Sequence, residues 1–142
     1  MTTNRICYRP LPKYKYQLVE DYSARIRAPA SDVVTPFIVV SKTGDLTVKA
    51  HYAWDGPSGP TVDTPNFMRG ALEHDALYQL MRLGLLDVND WRKYADDRLR
   101  DVCIADGMSR LRAFYVHKAV RWFAAKHARP GAEPRKSVCA PR

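Results

Sequence analysis

The sequence predicts an α+β fold, in which a β-hairpin or small antiparallel sheet precedes a three-helix bundle. Three observations predict it. Residues 46–54 alternate between apolar and other side chains, as a half-buried strand does. Residues 55–65 hold three prolines and two glycines, which exclude regular structure and separate the two halves. After residue 65, apolar residues recur at helical spacing in three segments.

The first 26 residues predict two extended segments. Residues 1–16 contain the run RPLPKYKY, which is typical of an extended arm that docks on a neighbouring surface. Residues 15–26 are rich in β-favouring side chains with imperfect alternation, and they predict one strand.

A hairpin is predicted over residues 37–54. Residues 37–40 form a short apolar, β-branched run, and KTGD at residues 42–45 follows as a turn. Gly44 can take the positive φ that such a turn needs. The second strand then runs from residue 46 to Trp54, where the Pro/Gly-rich loop begins.

Three helices are predicted over residues 67–83, 91–105 and 110–126. Gly84 and Gly107 follow the first two helices and suit the position just after a helix end. The candidate N-cap residues are Thr64 or Asn66, Asn89 or Asp90, and Ser109.

The third predicted helix mixes basic and aromatic residues. Such mixing can bind nucleic acid or lie on an anionic membrane. More commonly the aromatic side chains face the core and the cations face solvent, so we expect that arrangement here. The apolar positions are Leu111, Phe114, Tyr115, Ala119, Trp122 and Phe123, and the cations are Arg110, Arg112, Lys118, Arg121 and Lys126.

Length and charge limit the classes of protein to which this chain can belong. Its 142 residues suffice for one domain with a modest core, which we place at residues 1–128. The net charge of +8 favours anionic partners such as phospholipid headgroups or nucleic acid. Residues 129–142 form a basic, Pro-containing tail through which we expect any nucleic acid to bind.

Membrane and cysteine chemistry are not indicated by the sequence. Neither a transmembrane run nor a secretory signal is present, so we expect a soluble protein. The three cysteines, Cys7, Cys103 and Cys139, are too widely spaced to predict a metal site or a disulfide framework.

The residues that suggest chemistry lie on the first two predicted helices. His74 and Tyr78 share a face because they are four residues apart, and Asp75 projects about 100° round from them. Antiparallel packing of the second helix can bring Asp96 against His74. An aspartate that accepts from one imidazole nitrogen leaves the other free to take a proton from water. Alternatively, His74 and Asp96 form a buried hydrogen bond that only locks the helices together.

The second helix is predicted to face the core through Trp91, Ala95, Leu99 and Val102.

The Pro/Gly-rich loop supplies a second candidate component. Backbone carbonyls of such a loop, with one carboxylate opposite, form a hard oxygen site suited to Ca²⁺. Asp75 is placed to be that carboxylate. Bound Ca²⁺ and a loop N–H would together stabilise an oxyanion.

These motifs resemble the active-site region of secreted and parvoviral phospholipases A2. In that family a Gly-rich calcium loop precedes a helix with His-Asp-x-x-Tyr, and a second helix supplies an Asp. Here HDALY spans residues 74–78, ADDRL spans residues 95–99, and Gly56 precedes His74 by eighteen residues. The family's paired helix cysteines are absent, and Ser58 stands where the loop usually has Gly.

The resemblance implies a role for each matching residue. His74 would activate water, Asp96 would orient His74, and Tyr78 would hydrogen-bond Asp96. The N–H of Gly56 would help the oxyanion. Ca²⁺ would be held by the Asp75 carboxylate and by the carbonyls of Trp54, Gly56 and Ser58.

More of the chain is similar to the phage and prophage family of unknown function numbered 1353. The similarity implies a phage origin but no established activity. With a phage origin, and with no signal or membrane span in the sequence, we expect synthesis in the host cytoplasm, with incorporation into the virion as an option. The similarity leaves two functions open: a lipid esterase that binds anionic phospholipid, and a non-catalytic tail or head-tail protein that binds other virion proteins. The matching residues are Asp55, Gly56, Ser58, Pro60, Leu72, His74, Asp75, Leu77, Tyr78, Ala95, Asp96 and Gly107.

Two further hydrolytic arrangements are less well matched. Ser58 with His74 and Asp96 would form a nucleophilic triad, but GPSGP is not the strained Gly-x-Ser-x-Gly turn. A metal phosphohydrolase would need more histidines near His74, and the other three are scattered: His51, His117 and His127.

Overall fold

The computed structural model describes residues 5–11, 16–54, 64–123 and 128–130. Strands in the N-terminal part are followed by three helices, which confirms the predicted α+β arrangement. The strands are β1 (Tyr8–Pro10), β2 (Tyr16–Leu18), β3 (Tyr22–Arg25), β4 (Val33–Val34), β5 (Ile38–Val40), β6 (Asp45–Val48) and β7 (Ala53–Trp54). The helices are α1 (Pro65–Arg82), α2 (Val88–Ala105) and α3 (Arg110–Phe123).

The strands form two small antiparallel sheets. One has the order β1-β2-β7 and the other the order β3-β6-β5-β4. The two sheets share one antiparallel register. Tyr16 of β2 pairs with Trp54 of β7 in the first sheet, and Tyr22 of β3 pairs with Val48 of β6 in the second. Six residues separate the two pairs along each segment of the chain. Neither segment therefore has an extra residue where the sheets are interrupted.

The single strand predicted over residues 46–54 is wrong in its continuity. It is broken between β6 and β7, where His51 takes a φ of +77°. The backbone N–H of Ala50 turns to the Asp21 carboxylate, at 2.7 Å, instead of a strand partner. The strand predicted over residues 15–26 breaks opposite this point, between β2 and β3. The alternation of burial nevertheless continues, since Tyr52 and Trp54 are buried like Leu46 and Val48.

The predicted turn between β5 and β6 is present. Gly44 has a φ of +93°, and its N–H donates to the carbonyl of Ser41 at 2.9 Å. A Cβ at Gly44 would lie 2.3 Å from the backbone oxygen of Ile26. Both the positive φ and this close approach therefore require glycine here.

The predicted N-terminal arm is partly a strand of the domain. Its described residues include β1, which pairs with β2 and places Tyr8 against Tyr16 with ring centroids 5.2 Å apart. The extended conformation was predicted, but the surface that this segment contacts belongs to the same chain.

The helix boundaries differ slightly from the predicted ones. Thr64 is the N-cap of α1 but makes no side-chain cap bond. Asp87 caps α2 and accepts from the N–H of Asn89, so neither Asn89 nor Asp90 is the cap. Ser109 accepts from the N–H of Arg112 at 3.2 Å, as an N-cap does. Gly84 and Gly107 have positive φ, as predicted. The predicted end of the third helix, at residue 126, lies outside the described residues.

Helix α1 is the central element of the core. Its buried side chains join those of both sheets in the larger apolar cluster, and Phe67 and Ala71 join a second cluster with α2 and α3. The predicted core stripe of α2 is confirmed, with Trp91, Ala95, Leu99 and Val102 all buried. Because both ends of the core meet at α1, this helix holds its polar side chains in a fixed environment.

The expected orientation of the third helix is wrong. Small residues, Ala113 and Val116, face the core. The larger apolar side chains face solvent: the exposed fractions are Leu111 81%, Phe114 56%, Tyr115 56% and Trp122 80%.

Within the described ranges, no helix combines the length and apolar character that crossing a bilayer requires. Cys7 and Cys103 are free thiols. Residues 131–142 of the predicted tail and Cys139 lie outside the described residues.

Candidate active site

Four polar or charged side chains are buried in the described part of the chain, and they lie on α1 and α2. Three are on α1, at Arg69, Glu73 and His74, and Asp96 is on α2. Burial of a charge is costly unless it is paired, so the partners of these groups show how the site is built.

His74, Tyr78 and Asp96 come together as their spacing predicts. The Nε2 atom of His74 lies 2.7 Å from Asp96 Oδ1, and the Tyr78 hydroxyl donates to the same oxygen at 2.6 Å. The ring centroids of His74 and Tyr78, one turn apart on α1, are 4.2 Å apart, and the ring planes are tilted by 33°. This geometry fixes both the position and the rotation of the imidazole.

Arg121 of α3 is a further partner that the sequence did not predict. Its Nη1 donates to Asp96 Oδ2 at 2.9 Å, so each oxygen of the carboxylate is occupied. The available signal was the spacing of His117 and Arg121, which are four residues apart and therefore share a face of α3. That face lies against the adjacent carboxylates of Asp96 and Asp97.

These contacts control the protonation of the pair. Burial alone would raise the pKa of Asp96, but hydrogen bonds from His74, Tyr78 and Arg121 outweigh it and lower that pKa. Asp96 is therefore an acceptor only, and His74 Nε2 carries a proton. Burial lowers the pKa of His74, but the Asp75 and Asp96 carboxylates outweigh that effect, and the pKa is raised.

The second nitrogen of His74 faces Asp75. The distance from Nδ1 to Asp75 Oδ1 is 3.9 Å, which is too long for a hydrogen bond, so this carboxylate acts on His74 mainly through its charge. The Asp75 side chain is 33% exposed, whereas that of Asp96 is fully buried. The Nδ1 side of the imidazole therefore faces the more exposed of the two carboxylates.

Tyr52, which precedes β7, contacts the same face of α1 as Asp75. The Tyr52 hydroxyl donates to Gln79 Oε1 at 3.1 Å, and Gln79 is one helical turn after Asp75 on the same face. The ring of Trp54 stacks on that of Tyr52 at 6.4 Å. The residue before β7 is thus hydrogen-bonded to the turn of α1 that follows Asp75.

The candidate calcium ligands are only partly within the described residues. Trp54 and Asp75 are described, but Gly56 and Ser58 lie in residues 55–63, outside them. In the described ranges, no group of three or more His, Cys, Asp or Glu is arranged to hold a metal ion. Of the carboxylates in the proposed calcium site, the described residues supply only that of Asp75. The remaining calcium ligands would have to be backbone oxygens, most of them from the loop.

A second His–Asp pair lies beside the first. His117 Nε2 is 2.7 Å from Asp97 Oδ1, and Asp97 also accepts from Lys93 at 2.6 Å. The His–Asp distance is the same as in the first pair. Among the described residues, however, His117 has no counterpart of Tyr78 or Asp75. The two pairs therefore form a natural comparison within one molecule.

The other hydrolytic arrangements gain no support from the described residues. His117 is occupied by Asp97, and His51 lies exposed at the break between β6 and β7. Ser58 and His127 lie outside the described residues. A cavity of about 590 Å³ opens between β1 and the start of α1, and none of its lining residues belongs to the His74 site.

Comparisons of the chain with protein-family models, with curated proteins and with solved structures found no match. The function is therefore inferred from the residues and geometry of the site.

Proposed function

We propose that this chain is a phage-encoded, calcium-dependent lipid esterase of the phospholipase A2 type, in which His74 activates water. The observation that carries the proposal is the asymmetric environment of His74. Its Nε2 is held by a buried carboxylate at 2.7 Å, whereas its Nδ1 faces the partly exposed Asp75. The phage origin is inferred from the resemblance to the family numbered 1353.

The chemistry follows from the two nitrogens. Neutral His74, protonated on Nε2, accepts a proton from water at Nδ1 while the water oxygen attacks the ester carbonyl. Asp96 stabilises the imidazolium that forms, and Tyr78 and Arg121 keep Asp96 ionised. The tetrahedral intermediate then breaks its bond to the alcohol oxygen, which takes the proton back from His74.

Calcium is the proposed cofactor. In the proposal it is bound by the Asp75 carboxylate and by the carbonyl oxygens of Trp54, Gly56 and Ser58, and the N–H of Gly56 assists the oxyanion. When bound, the ion supplies positive charge close to the oxyanion. Calorimetric titration should detect Ca²⁺ binding to the wild-type protein and markedly weaker binding to Asp75→Asn.

The second His–Asp pair provides a matched control for the catalytic test. Fatty-acid release from phosphatidylglycerol vesicles should require Ca²⁺ and fall by about 100-fold or more in His74→Asn, since a general base contributes about 10²–10⁴ in rate. The His117→Asn variant, which also loses one His–Asp hydrogen bond of 2.7 Å, should retain activity. Circular dichroism would verify that both variants are folded. Absence of calcium-dependent release by the wild-type protein, or an equal loss in both variants, would reject the proposal.

A non-catalytic bacteriophage virion component is the second candidate function. The observation that favours it is the closure of the site: His74 is 7% exposed, and Asp96 accepts from three side chains. In this case the same residues only join the helices. Mass spectrometry of purified particles should then find the protein, and His74→Asn should lower the melting temperature without changing any ester hydrolysis.

A further inference from the structure

Helix α3 has an apolar face that the described residues leave exposed. Leu111, Phe114, Tyr115, Lys118 and Trp122, which we call the outer face of α3, fall within an arc of about 100° at the helical rotation of 100° per residue. The exposed fraction of Leu111 is 81% and that of Trp122 is 80%. Single exposed apolar residues are common, but an ordered stripe of four indicates a binding surface.

The charge on α3 is of one sign. The helix contains four Lys or Arg residues and no Asp or Glu. Arg112 and Arg121 are directed back into the protein, to Thr64 at 2.7 Å and to Asp96 at 2.9 Å. Arg110 and Lys118 are exposed. Lys118 Nζ lies 5.3 Å from the centre of the Phe114 ring, so its positive charge lies over an aromatic side chain of the outer face.

The outer face is next to the candidate active site. Trp122 directly follows Arg121, which donates to Asp96, the partner of His74. Trp122 of the outer face and the Arg121 partner of Asp96 are therefore carried by the same turn of α3.

We propose that the outer face of α3 binds the surface of an anionic phospholipid bilayer, with the helix lying in the plane of the interface. The choice of lipid rests on the proposed function, and the side chains fit it independently. Leucine and aromatic residues insert below headgroups, and flanking cations contact anionic lipids. Apolar side chains outnumber exposed cations on this face, which favours an acyl boundary over nucleic acid, where cations dominate binding.

Tryptophan fluorescence provides a direct measurement, because Trp122 is the exposed one of the three tryptophans. Trp54 and Trp91 are 3% and 6% exposed, so a change in emission on lipid binding reports mainly Trp122. Vesicles of phosphatidylglycerol and phosphatidylcholine should shift the emission to shorter wavelength, and pure phosphatidylcholine vesicles should do so much less. His74→Asn, which blocks hydrolysis in the proposed function, should show the same shift.

Variants locate the surface. The double variant Leu111→Ser/Phe114→Ser keeps Trp122 and should weaken vesicle binding at least tenfold in flotation assays, while hydrolysis of a soluble short-chain ester is unchanged. Val34→Ser is the control, since Val34 is 70% exposed on β4, outside α3. Its vesicle binding should equal that of the wild-type protein.

The outcomes separate this inference from the proposed function. Vesicle binding that the double variant loses, without any ester hydrolysis, supports the lipid surface and rejects the esterase. Absence of vesicle binding overturns the inference. The inference is also overturned if light scattering shows that the wild-type protein is a dimer and the double variant a monomer. Binding of single-stranded nucleic acid by the wild-type protein in preference to vesicles would overturn it as well.

Discussion

Asp96 is the residue at which the three helices meet. Its Oδ1 accepts from His74 and Tyr78 of α1, and its Oδ2 accepts from Arg121 of α3. A fully buried carboxylate requires such compensation, because its desolvation costs several kcal/mol. The same contacts that make the charge tolerable also orient the imidazole, so the stability of the bundle and the geometry of the candidate site depend on one group.

The raised pKa of His74 predicts a specific pH dependence of stability. In the unfolded chain the imidazole has a pKa of about 6.5, and in the folded protein its pKa is higher. The folded state therefore binds the proton more tightly, and this contribution is fully present below about pH 6.5 and lost as pH rises through the folded pKa. The free energy of unfolding of the wild-type protein relative to His74→Asn should accordingly be larger at pH 6 than at pH 9, measured in urea.

NMR titration of the His74 ring provides the direct check. The ring should titrate at higher pH in the folded protein than in the urea-unfolded chain. Ester hydrolysis should rise through the same pH range, because neutral His74 is the base. A folded pKa at or below that of the unfolded chain would contradict the balance of contacts described for this residue.

The sequence predicted the contact of His74 with Asp96 because helical spacing determines which side chains share a face. It did not predict Arg121 as a partner. The rotation and position of α3 relative to α2 depend on packing between helices, which no spacing within one helix specifies.

At the scale of elements, local backbone chemistry was the most predictable feature. The turn at Gly44 and the helix ends at Gly84 and Gly107 depend on positive φ, and all three were expected from glycine alone. The face of α3 that is buried could not be predicted in this way, because its small and its large apolar residues both recur at helical spacing. Which of them meets the core depends on how closely α2 approaches, and here Ala113 and Val116 allow close contact.

A pair of glycine variants separates backbone strain from steric contact. Gly84→Ala should cost about 1–2 kcal/mol, since its φ is +73° but a Cβ would meet nothing within 4 Å. Gly44→Ala adds a contact of 2.3 Å with the Ile26 oxygen to a similar strain, so we expect a loss of about 3 kcal/mol or more. Urea unfolding of both variants measures the difference, and equal losses would show that the sheet yields at Ile26.

At the scale of the whole molecule, a second buried network joins the four-stranded sheet to the helices. The Tyr22 hydroxyl of β3 donates to Glu73 of α1 at 2.7 Å, and Arg98 of α2 donates to the same carboxylate at 2.6 Å. Arg69 donates to the Tyr22 oxygen at 3.2 Å and pairs with Asp106 at 2.8 Å. Glu73 directly precedes His74 and lies about 100° round the helix from it, so this network fixes α1 next to the candidate site.

Removal of Glu73 should therefore destabilise the whole fold and not one helix. Glu73→Ala leaves the Tyr22 hydroxyl and the Arg98 guanidinium without their shared acceptor. Breaking a buried ion pair costs about 3–5 kcal/mol, and we expect about 2–4 kcal/mol here because the Arg98 side chain is 24% exposed and can turn towards water. The control is Asp101→Asn, which removes an exposed pair with Arg100 and should cost at most about 1 kcal/mol.

Hydrogen exchange distinguishes a global effect from a local one. If the network joins the two halves, Glu73→Ala should lower the protection of amides in β3 and β6 as much as that of amides in α1 and α2, because both halves then open in one transition. Protection lost in α1 and α2 alone would mean that the sheet is stable by itself, and that the contact between Tyr22 and Glu73 does not couple the halves.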